Sequence, residues 1–227
     1  MDGPPSEFRI ADAWDKEYLA GRYSGEPPLP FIADVLSAAR RMGIDRGLYI
    51  GCGNGRNFVP LIRAGLELTG VDLSSIAIRQ LSDRLPACAE RLYVGDLSAL
   101  PRGSSYPLVI GIQVFQHGDR VTCLQHIQKA QQLLEVGGLF CIRVNAIGSE
   151  HEHRNEVVEV TEDGSETIRY LAGPKEGLLI HFFSRKGLGN AFESGFRQTL
   201  PLRYVTMQRD PPSVGHWDQW EAIWQKI

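Results

Sequence analysis

Hydrophobic residues along this chain fall into short apolar runs separated by stretches with helical spacing. The five clearest runs are Leu48–Ile50, Glu67–Asp72, Arg91–Val94, Leu108–Gln113 and Leu139–Val144. Between these runs, apolar residues recur every three or four positions, as they do on one face of an amphipathic helix. This alternation predicts a doubly wound α/β fold, in which helices cover both faces of a mostly parallel sheet.

Local signals set several of the predicted boundaries. Ser74 has the residue type of a helix cap, and Pro86 stops the helix that follows it. After the fourth run we expect a helix that ends at Gly137-Gly138, just before the fifth strand. The predicted inner face of that helix consists of Val121, Leu124, Ile127 and Leu134.

The alternation of strands and helices is interrupted over residues 147–182. Two alternating runs, Glu156–Thr161 and Glu166–Tyr170, flank a polar turn and predict a β-hairpin. We expect this segment to form a cap beside the functional site. Because it carries many charges, an excursion into solvent without any functional contact is the alternative.

The C-terminal part continues with a helix, a strand and a long turn. The helix has Leu188, Ala191 and Phe192 on its inner face, the strand spans Thr199–Met207, and the turn covers residues 210–216. The closing segment fits two structures. Its tryptophans have helical spacing, whereas Trp220, Ala222 and Trp224 alternate as in a strand.

The N-terminal segment has a helical pattern of its own. The residues that carry this pattern, within Phe8–Tyr23, are Trp14, Tyr18, Leu19 and Arg22. An amphipathic helix packed on the domain is the simplest interpretation. A proline-rich connector over residues 25–30 follows, and then a second helix that ends near Gly43.

Composition narrows the class of protein. The chain has 227 residues and a net charge of −3, which gives no basic footprint for nucleic acid. No run approaches the roughly 18 to 20 apolar residues of a membrane span, and residues 1–7 lack the features of a signal peptide. We therefore expect a cytoplasmic protein with no membrane partner. The cysteines show no paired spacing, which favours free buried thiols.

The stretch Leu48–Asn57 is the first candidate binding site. An apolar strand ends there in three glycines at alternate positions, Gly51, Gly53 and Gly55. Glycine lets the backbone adopt positive φ and lets a ligand approach closely. Such a turn can also be a simple strand-to-helix connection. However, Asp72 ends the next strand 21 residues after Gly51, close to the spacing at which a carboxylate meets the hydroxyls of a bound ribose.

A third strand ends in Asp96, and at this point the sequence resembles the class I S-adenosylmethionine-dependent methyltransferases. The motifs that carry the resemblance lie at residues 50–55, 70–74, 95–97, 108–113 and 133–139. It covers residues 31–146 well and implies a Rossmann-like sheet of seven strands, closed by an antiparallel strand that begins near Trp220. It also implies S-adenosylmethionine as the cofactor and methyl transfer as the activity.

The resemblance further implies roles for individual residues. Asp72 would accept hydrogen bonds from the ribose hydroxyls, and Asp96 would approach the adenine amino group. For each carboxylate, a turn or helix cap is the alternative. Tyr18 belongs to a Trp-Asp-x-x-Tyr segment of the kind that closes over the cofactor. The other implied cofactor contacts are Gly51, Cys52, Gly53, Gly55, Asn57, Leu73, Leu97 and Gln113.

His117, in the loop after the fourth strand, is the candidate catalytic base. A neutral imidazole could remove a proton from the acceptor, whereas a loop histidine bonded to the backbone is the alternative. Further base candidates are His151, His153 and His181 near the cap. Arg143 and Asn145 end the fifth strand and could face the acceptor, with salt-bridge and strand-end roles as the alternatives. We predict no metal site, because His151 and His153 lack identifiable partner ligands.

Several other functions compete with this interpretation. A nicotinamide dehydrogenase would prefer Gly-x-Gly-x-x-Gly, and here Arg56 stands where the last glycine belongs. Residues 111–115 do not resemble the polar-Pro-Pro-aromatic motif of nucleic-acid amine methyltransferases. A non-catalytic cofactor-binding subunit, or an RNA or protein methyltransferase, stays open.

We therefore predict methyl transfer to an oxygen, nitrogen, sulfur or metalloid atom of a small molecule. The architecture is similar to that of small bacterial methyltransferases that detoxify tellurite or thiopurines, which assigns no substrate. We expect a single domain whose parts are an N-terminal lid (1–30), a cofactor-binding core (31–146), the cap (147–182) and a C-terminal helix with a strand pair (183–227).

Overall fold

Ten strands lie in the part of the chain that the computed structural model describes, residues 7–209 and 213–227. The strands are β1 (Arg46–Ile50), β2 (Glu67–Asp72), β3 (Leu92–Val94), β4 (Tyr106–Ile112), β5 (Leu134–Asn145), β6 (Asn155–Val160), β7 (Glu166–Tyr170), β8 (Leu179–Phe182), β9 (Phe196–Gln208) and β10 (His216–Lys226). The α-helices of the same part of the chain are α1 (Glu7–Leu19), α2 (Phe31–Arg41), α3 (Phe58–Arg63), α4 (Ser75–Arg84), α5 (Arg120–Gln132) and α6 (Arg185–Asn190).

Seven of the strands form one sheet in the order β3-β2-β1-β4-β5-β10-β9. Strands β1 to β5 are parallel, and β10 runs antiparallel to both of its neighbours. The predicted α/β fold with a mostly parallel seven-stranded sheet is confirmed, as is the antiparallel final strand. The strand order switches between β1 and β4, which is where ligands bind in sheets of this type.

Helices bury both faces of this sheet. Leu48 and Val109 face one apolar cluster, to which α5 and α6 contribute, whereas Tyr49 and Ile110 face the cluster that contains residues of α2, α3 and α4. Ser74 caps α4 as predicted, since its side chain accepts a hydrogen bond from the backbone of Ala77. A strand buried on both faces needs apolar residues at every position, which explains the continuous apolar runs in the sequence.

The boundary between α5 and β5 differs from the prediction. Helix α5 ends at Gln132 and β5 begins at Leu134, so Gly137 and Gly138 lie inside a strand and do not end the helix. The register between β4 and β5 shifts across this region, and Gly137 has a φ of +83°. Glycine with positive φ is favoured both after helices and at strand bulges, so the sequence signal had two possible meanings.

The predicted inner face of α5 was right for Leu124 and Ile127, which pack in the core, but wrong for Val121 and Leu134. The buried residues of the helix are Cys123, Ile127 and Ala130, whereas Val121 is 57% exposed and Leu134 is buried as part of β5. Asp119 starts the helix by accepting a hydrogen bond from the backbone N–H of Thr122 at 2.8 Å. Small residues therefore face the sheet, and a pattern based on large apolar residues missed them.

Strands β6, β7 and β8 form a separate antiparallel sheet, which we call the cap. The predicted hairpin corresponds to β6 and β7, and β8 adds a third strand. The cap is hydrogen-bonded to the loop after β4, because Gly118 N donates to Leu179 O at 2.9 Å and His181 N donates to Gln116 O at 2.9 Å. The cap therefore lies beside the carboxyl end of β4.

At the C-terminus, β10 begins at His216, four residues before the predicted start. Residues 1–6 of the predicted N-terminal segment and residues 210–212 of the predicted turn lie outside the described residues. Among the helices that the structure describes, none combines the length and the hydropathy needed to cross a membrane.

Candidate functional site

A cavity lies at the carboxyl ends of the first four strands. Gly51, Asp72, Asp96 and Gln113 each follow or end one of these strands, and all four line the cavity. Their convergence follows from the topology, because parallel strands end at the same edge of a sheet. Further lining residues come from α1, the turn after it, and α5: Ile10, Trp14, Tyr18, Tyr23, His126 and Lys129.

Two glycines of the turn after β1 shape the cavity wall. Gly51 and Gly53 have φ values of +67° and +54°. A Cβ on Gly51 would lie 2.9 Å from the side chain of Val114, and a Cβ on Gly53 would lie 2.5 Å from the hydroxyl of Tyr18. Any larger residue at these positions would therefore displace a neighbouring side chain.

Gly55 has a different role from the one expected. It is not among the described residues that line the cavity. A Cβ at this position would lie 2.6 Å from Leu81 Cδ1 and 2.8 Å from Val59 Cγ2, and φ is +93°. The prediction that all three glycines make room for the ligand is therefore corrected. Gly55 instead allows α3 and α4 to pack against the turn.

Asp72 joins β2 to the glycine turn. Its Oδ2 accepts a hydrogen bond from Gly53 N at 2.8 Å, and its Oδ1 accepts one from Ser74 N at 2.9 Å. Burial raises the pKa of Asp72, the two backbone donors lower it, and the charge of Asp15 raises it. Because a carboxylate oxygen can accept more than one hydrogen bond, Asp72 keeps capacity for hydroxyl donors of a ligand.

Asp96 both lines the cavity and caps a short 3₁₀ helix. Its Oδ1 accepts hydrogen bonds from Ser98 N at 2.9 Å and from Ser98 Oγ at 2.6 Å. The bond from the Ser98 side chain is the main cause of a lowered pKa for Asp96, which is therefore ionised at neutral pH. Leu73 and Leu97, which follow the two aspartates in sequence, also line the cavity and are partly buried.

The other predicted cofactor contacts also lie on the cavity wall: Cys52, Asn57 and Gln113. Burial raises the pKa of the Cys52 thiol well above its usual value, so this group is neutral. Asn57 Oδ1 accepts a hydrogen bond from Leu29 N at 2.9 Å. Gln113 has a φ of +58°, which is uncommon for a residue with a side chain. Strain of this kind concentrates at functional positions.

Aromatic side chains of α1 and the following turn cover the cavity, and we call α1 through Tyr23 the lid. Tyr18 is only 8% exposed. Its ring centroid lies 6.2 Å from that of Trp14 and 5.9 Å from that of Tyr23. Burial raises the pKa of Tyr18, and Asp72 adds to the effect, so the phenol stays protonated.

His117 lies on the cavity wall with its two ring nitrogens in different surroundings. Nε2 lies 3.2 Å from Gln113 O, and because a carbonyl oxygen can only accept, Nε2 carries the proton. Nδ1 is enclosed and has no hydrogen-bond partner among the residues described. Burial, followed by the charge of Lys175, lowers the pKa of His117 to about 3. The imidazole is therefore neutral at pH 7, with an unused lone pair on Nδ1.

The lid, the cap and the loop after β4 meet at Trp14. The rings of Trp14 and His117 are in edge contact with centroids 5.3 Å apart. On the other side, Lys175 Nζ, from the segment between β7 and β8, lies 5.2 Å from the centroid of the Trp14 ring. A molecule beside His117 would therefore be enclosed by three separate parts of the chain.

The three histidines near the cap are not among the described residues on the cavity wall. The His151 ring packs against Phe182 with centroids 4.8 Å apart. His181 Nδ1 lies 2.9 Å from Thr167 Oγ1, and the His153 ring lies against Tyr170. These contacts belong to the cap, so the expectation that one of these residues serves as a base is not supported.

Arg143 and Asn145 likewise make structural contacts. Arg143 is 1% exposed and forms an ion pair with Glu221 on β10, with 2.9 Å between Nε and Oε1. Asn145 Oδ1 accepts a hydrogen bond from Gln219 Nε2 at 2.7 Å. Both side chains therefore connect β5 to β10.

Sequence reasoning missed several residues of the cavity wall. Tyr23 follows the lid helix in a turn with a φ of +62°, and Tyr49 lies within β1. His126 and Lys129 lie three residues apart on α5, and both line the cavity. Tyr49 lies in the candidate stretch Leu48–Asn57 but was not singled out, and the other three belong to no motif. The three-residue spacing of His126 and Lys129 is the one signal that placed them on the same face of a helix.

Comparison with known families agrees with this geometry. Residues 48–138, from β1 into β5, match the family model described as a methyltransferase domain. This stretch, which is less than half of the chain, is similar to a methyltransferase domain. The protein is an enzyme, and S-adenosylmethionine is its cofactor. No curated protein sequence matches the chain.

Solved structures of methyltransferases share the fold over nearly all of the chain. Magnesium protoporphyrin IX methyltransferase (ChlM) from Synechocystis PCC 6803, solved with bound SAM, has a TM-score of 0.62 at 14% identity and covers 98% of this chain and 99% of its own. TehB from Haemophilus influenzae has a TM-score of 0.61 at 17% identity and covers 94% of this chain and 67% of its own. At these identities the likeness shows the fold alone.

Proposed function

We propose that this methyltransferase acts on a small molecule that is held between the cavity, the lid and the cap. The observation that carries the proposal is the meeting of the three parts at Trp14, which lies 5.3 Å from the His117 ring and 5.2 Å from Lys175 Nζ. An acceptor enclosed in this way has to be small. The proposed organisation is a single domain with four parts: an N-terminal part (1–30) that contains the lid, a cofactor-binding core (31–146), a part (147–182) that contains the cap, and a C-terminal part (183–227).

We assign the cavity residues to the ribose, adenine and methionine parts of the cofactor. Asp72 would accept hydrogen bonds from the ribose hydroxyls, since each carboxylate oxygen now takes a single backbone bond. Asp96 would meet the adenine amino group, with Leu73 and Leu97 against the ring. The methionine end would lie against the other predicted contacts on the cavity wall, which are Tyr18, Gly51, Cys52, Gly53, Asn57 and Gln113.

In this reaction the main role of the protein would be to position the acceptor. When bound, S-adenosylmethionine supplies a methyl group on a sulfonium, which is already an activated leaving group. The lid and the cap would hold the acceptor in line with that methyl group and exclude water. Positioning of this kind can account for roughly 7 to 11 kcal/mol of the barrier.

His117 would hold the nucleophile. Its Nδ1 is enclosed and has no partner among the described residues, so after a shift of the lid its lone pair would accept a hydrogen bond from an acceptor O–H, N–H or S–H group. With a pKa of about 3, it is a weak base, so its main contribution is orientation and not uptake of the proton in the ground state. Oxygen, nitrogen and sulfur acceptors fit this description directly, and a protonated metalloid oxyanion fits it as well.

Calorimetric titration with S-adenosylmethionine, S-adenosylhomocysteine and NADH tests the cofactor site. We expect micromolar binding of the two sulfur nucleosides, a loss of at least about 10-fold in Asp72→Ala because ribose hydroxyls go unpaired, and no binding of NADH. Asp83→Ala, which removes an exposed carboxylate from α4, is the matched control. Equal binding by Asp72→Ala and the wild type would contradict the assigned role of Asp72.

The acceptor is tested by release of S-adenosylhomocysteine with a panel of phenols, amines, thiols and tellurite, with RNA and protein substrates run in parallel. Turnover of a small molecule supports the proposal. Turnover of RNA or protein alone would replace it with a macromolecular acceptor. Cofactor binding without turnover of anything would favour a non-catalytic subunit.

A further inference from the structure

Asp15 lies on the lid between Trp14 and Tyr18, but its carboxylate is bonded to a distant helix. Its Oδ1 accepts a hydrogen bond from Ser74 Oγ and lies 3.3 Å from Ile76 N, and its Oδ2 lies 3.4 Å from Ser75 Oγ. These residues form the start of α4, about sixty positions further along the chain. Asp15 is not among the described residues that line the cavity.

The bonds make Asp15 a cap for α4 supplied by another helix. Backbone N–H groups in the first turn of a helix have no intrahelical partner. In α4, the Ser74 side chain satisfies Ala77 N at 3.0 Å, and Asp15 accepts from Ile76 N. A carboxylate at this end is also favoured by the helix dipole. The lid is therefore attached to α4 through a favourable and specific contact.

The same atoms connect the lid to the cofactor site. Ser74, which donates its hydroxyl proton to Asp15, donates its backbone N–H to Asp72 Oδ1 at 2.9 Å. Asp72 Oδ2 in turn holds Gly53 N at 2.8 Å, beneath the Tyr18 hydroxyl. A second attachment lies one helical turn along the lid, where Gln80 Nε2 donates to Tyr18 O at 3.1 Å.

We propose that Asp15 is a positioning residue, which holds the lid closed on α4 and thereby places Trp14 and Tyr18 over the cofactor. The inference rests on the proposed function, in which the lid covers the cofactor. A ligand that binds only the closed form loses apparent affinity in proportion to the fraction of protein that is open. Loss of the Asp15 contacts should therefore weaken cofactor binding although Asp15 does not reach the cavity.

The test compares three variants by calorimetric titration with S-adenosylhomocysteine. Asp15→Ala removes the bonds that the Asp15 side chain makes at the start of α4, Asp15→Asn keeps one oxygen acceptor, and Asp12→Ala removes an exposed carboxylate from the same helix. We expect the dissociation constant to rise about 10-fold in Asp15→Ala, less in Asp15→Asn, and less than 2-fold in Asp12→Ala, given the usual strength of a side-chain cap.

Trypsin cleavage at Lys16 and Arg22 gives a second readout that separates lid opening from general instability. In Asp15→Ala we expect faster cleavage of the free enzyme at these sites, with protection restored by saturating S-adenosylhomocysteine. An unchanged dissociation constant in Asp15→Ala would overturn the inference, even if its melting temperature falls, because Asp15 would then only stabilise α4. If the wild type fails to bind, the cofactor site itself has been misassigned.

Discussion

The hydroxyl of Tyr18 lies 2.5 Å from the point that a Cβ on Gly53 would occupy. Tyr18 belongs to the lid and Gly53 to the turn after β1, so the absence of a side chain in the turn is what lets the lid approach it. Gly53 also donates its N–H to Asp72 at 2.8 Å. The positions of the lid, the turn and the Asp72 carboxylate therefore all depend on residue 53 having no side chain.

Gly53→Ala should therefore weaken cofactor binding more than it weakens the fold. The methyl group would displace the Tyr18 hydroxyl, and alanine is disfavoured at a φ of +54°. We expect about a 10-fold rise in the dissociation constant for S-adenosylhomocysteine, measured by calorimetry. Gly43→Ala is the control, since Gly43 has a φ of +65° but open space around it. Equal affinity in both variants would rule out the steric explanation.

Gly55→Ala should show the opposite behaviour. Its Cβ would collide with Leu81 and Val59, and φ is +93°, so both overpacking and backbone strain act on the folded state. We expect the free energy of unfolding to fall by about 1 to 3 kcal/mol in urea titrations. At a temperature where the variant is folded, its affinity for S-adenosylhomocysteine should match that of the wild type. A selective loss of affinity would restore the ligand-binding role for Gly55.

His117 should make the free energy of unfolding depend on pH. Its pKa is lowered from 6.5 to about 3 in the folded protein, so below pH 6.5 the unfolded chain takes up a proton that the folded chain refuses. The free energy of unfolding is therefore highest above pH 6.5. It decreases as the pH drops toward 3, by at most about 1.4 kcal/mol per pH unit. Urea titrations of the wild type and His117→Asn between pH 7 and pH 4.5 should diverge in this direction, and parallel curves would contradict it.

His117→Ala should also slow methyl transfer without changing cofactor binding. If Nδ1 holds the nucleophile, we expect kcat to fall about 10-fold or more while KM for S-adenosylmethionine is unchanged. The neutral state of His117 above pH 5 further predicts that wild-type kcat shows no inflection from this residue between pH 5 and pH 9. An inflection near pH 6.5 that disappears in the variant would mean that His117 acts as a conventional base.

Asp163 should stabilise the junction between the cap and α6. Its Oδ1 accepts bonds from Thr161 Oγ1 at 2.8 Å and Ser184 Oγ at 3.2 Å. Although burial raises its pKa, hydrogen bonds from Ser165, Thr161 and Ser184 lower it to about 2. We expect Asp163→Asn to lose about 1 to 3 kcal/mol at pH 7. The difference should shrink as the pH falls below 3.8 and through about 2, because the wild-type carboxyl becomes protonated over this range, and a constant difference would contradict this origin.

The sequence by itself determined the sheet and the edge at which the cavity lies. The strands are buried on both faces and therefore read as apolar runs, and parallel strands bring their carboxyl ends together. This was enough to place Gly51, Asp72, Asp96 and Gln113 on one wall, because each position depends only on where a strand ends. The glycine turn was visible for the same local reason.

Only the tertiary structure decided which atoms fill the space around that wall. The phase of α5 depends on the small residues Cys123 and Ala130 fitting against the sheet, and the role of Gly55 depends on Leu81, which is distant in sequence. The charge state of His117 depends on enclosure by the cap and on Lys175. Contacts between residues far apart in the chain leave no local pattern, so these features emerge only when the chain is folded.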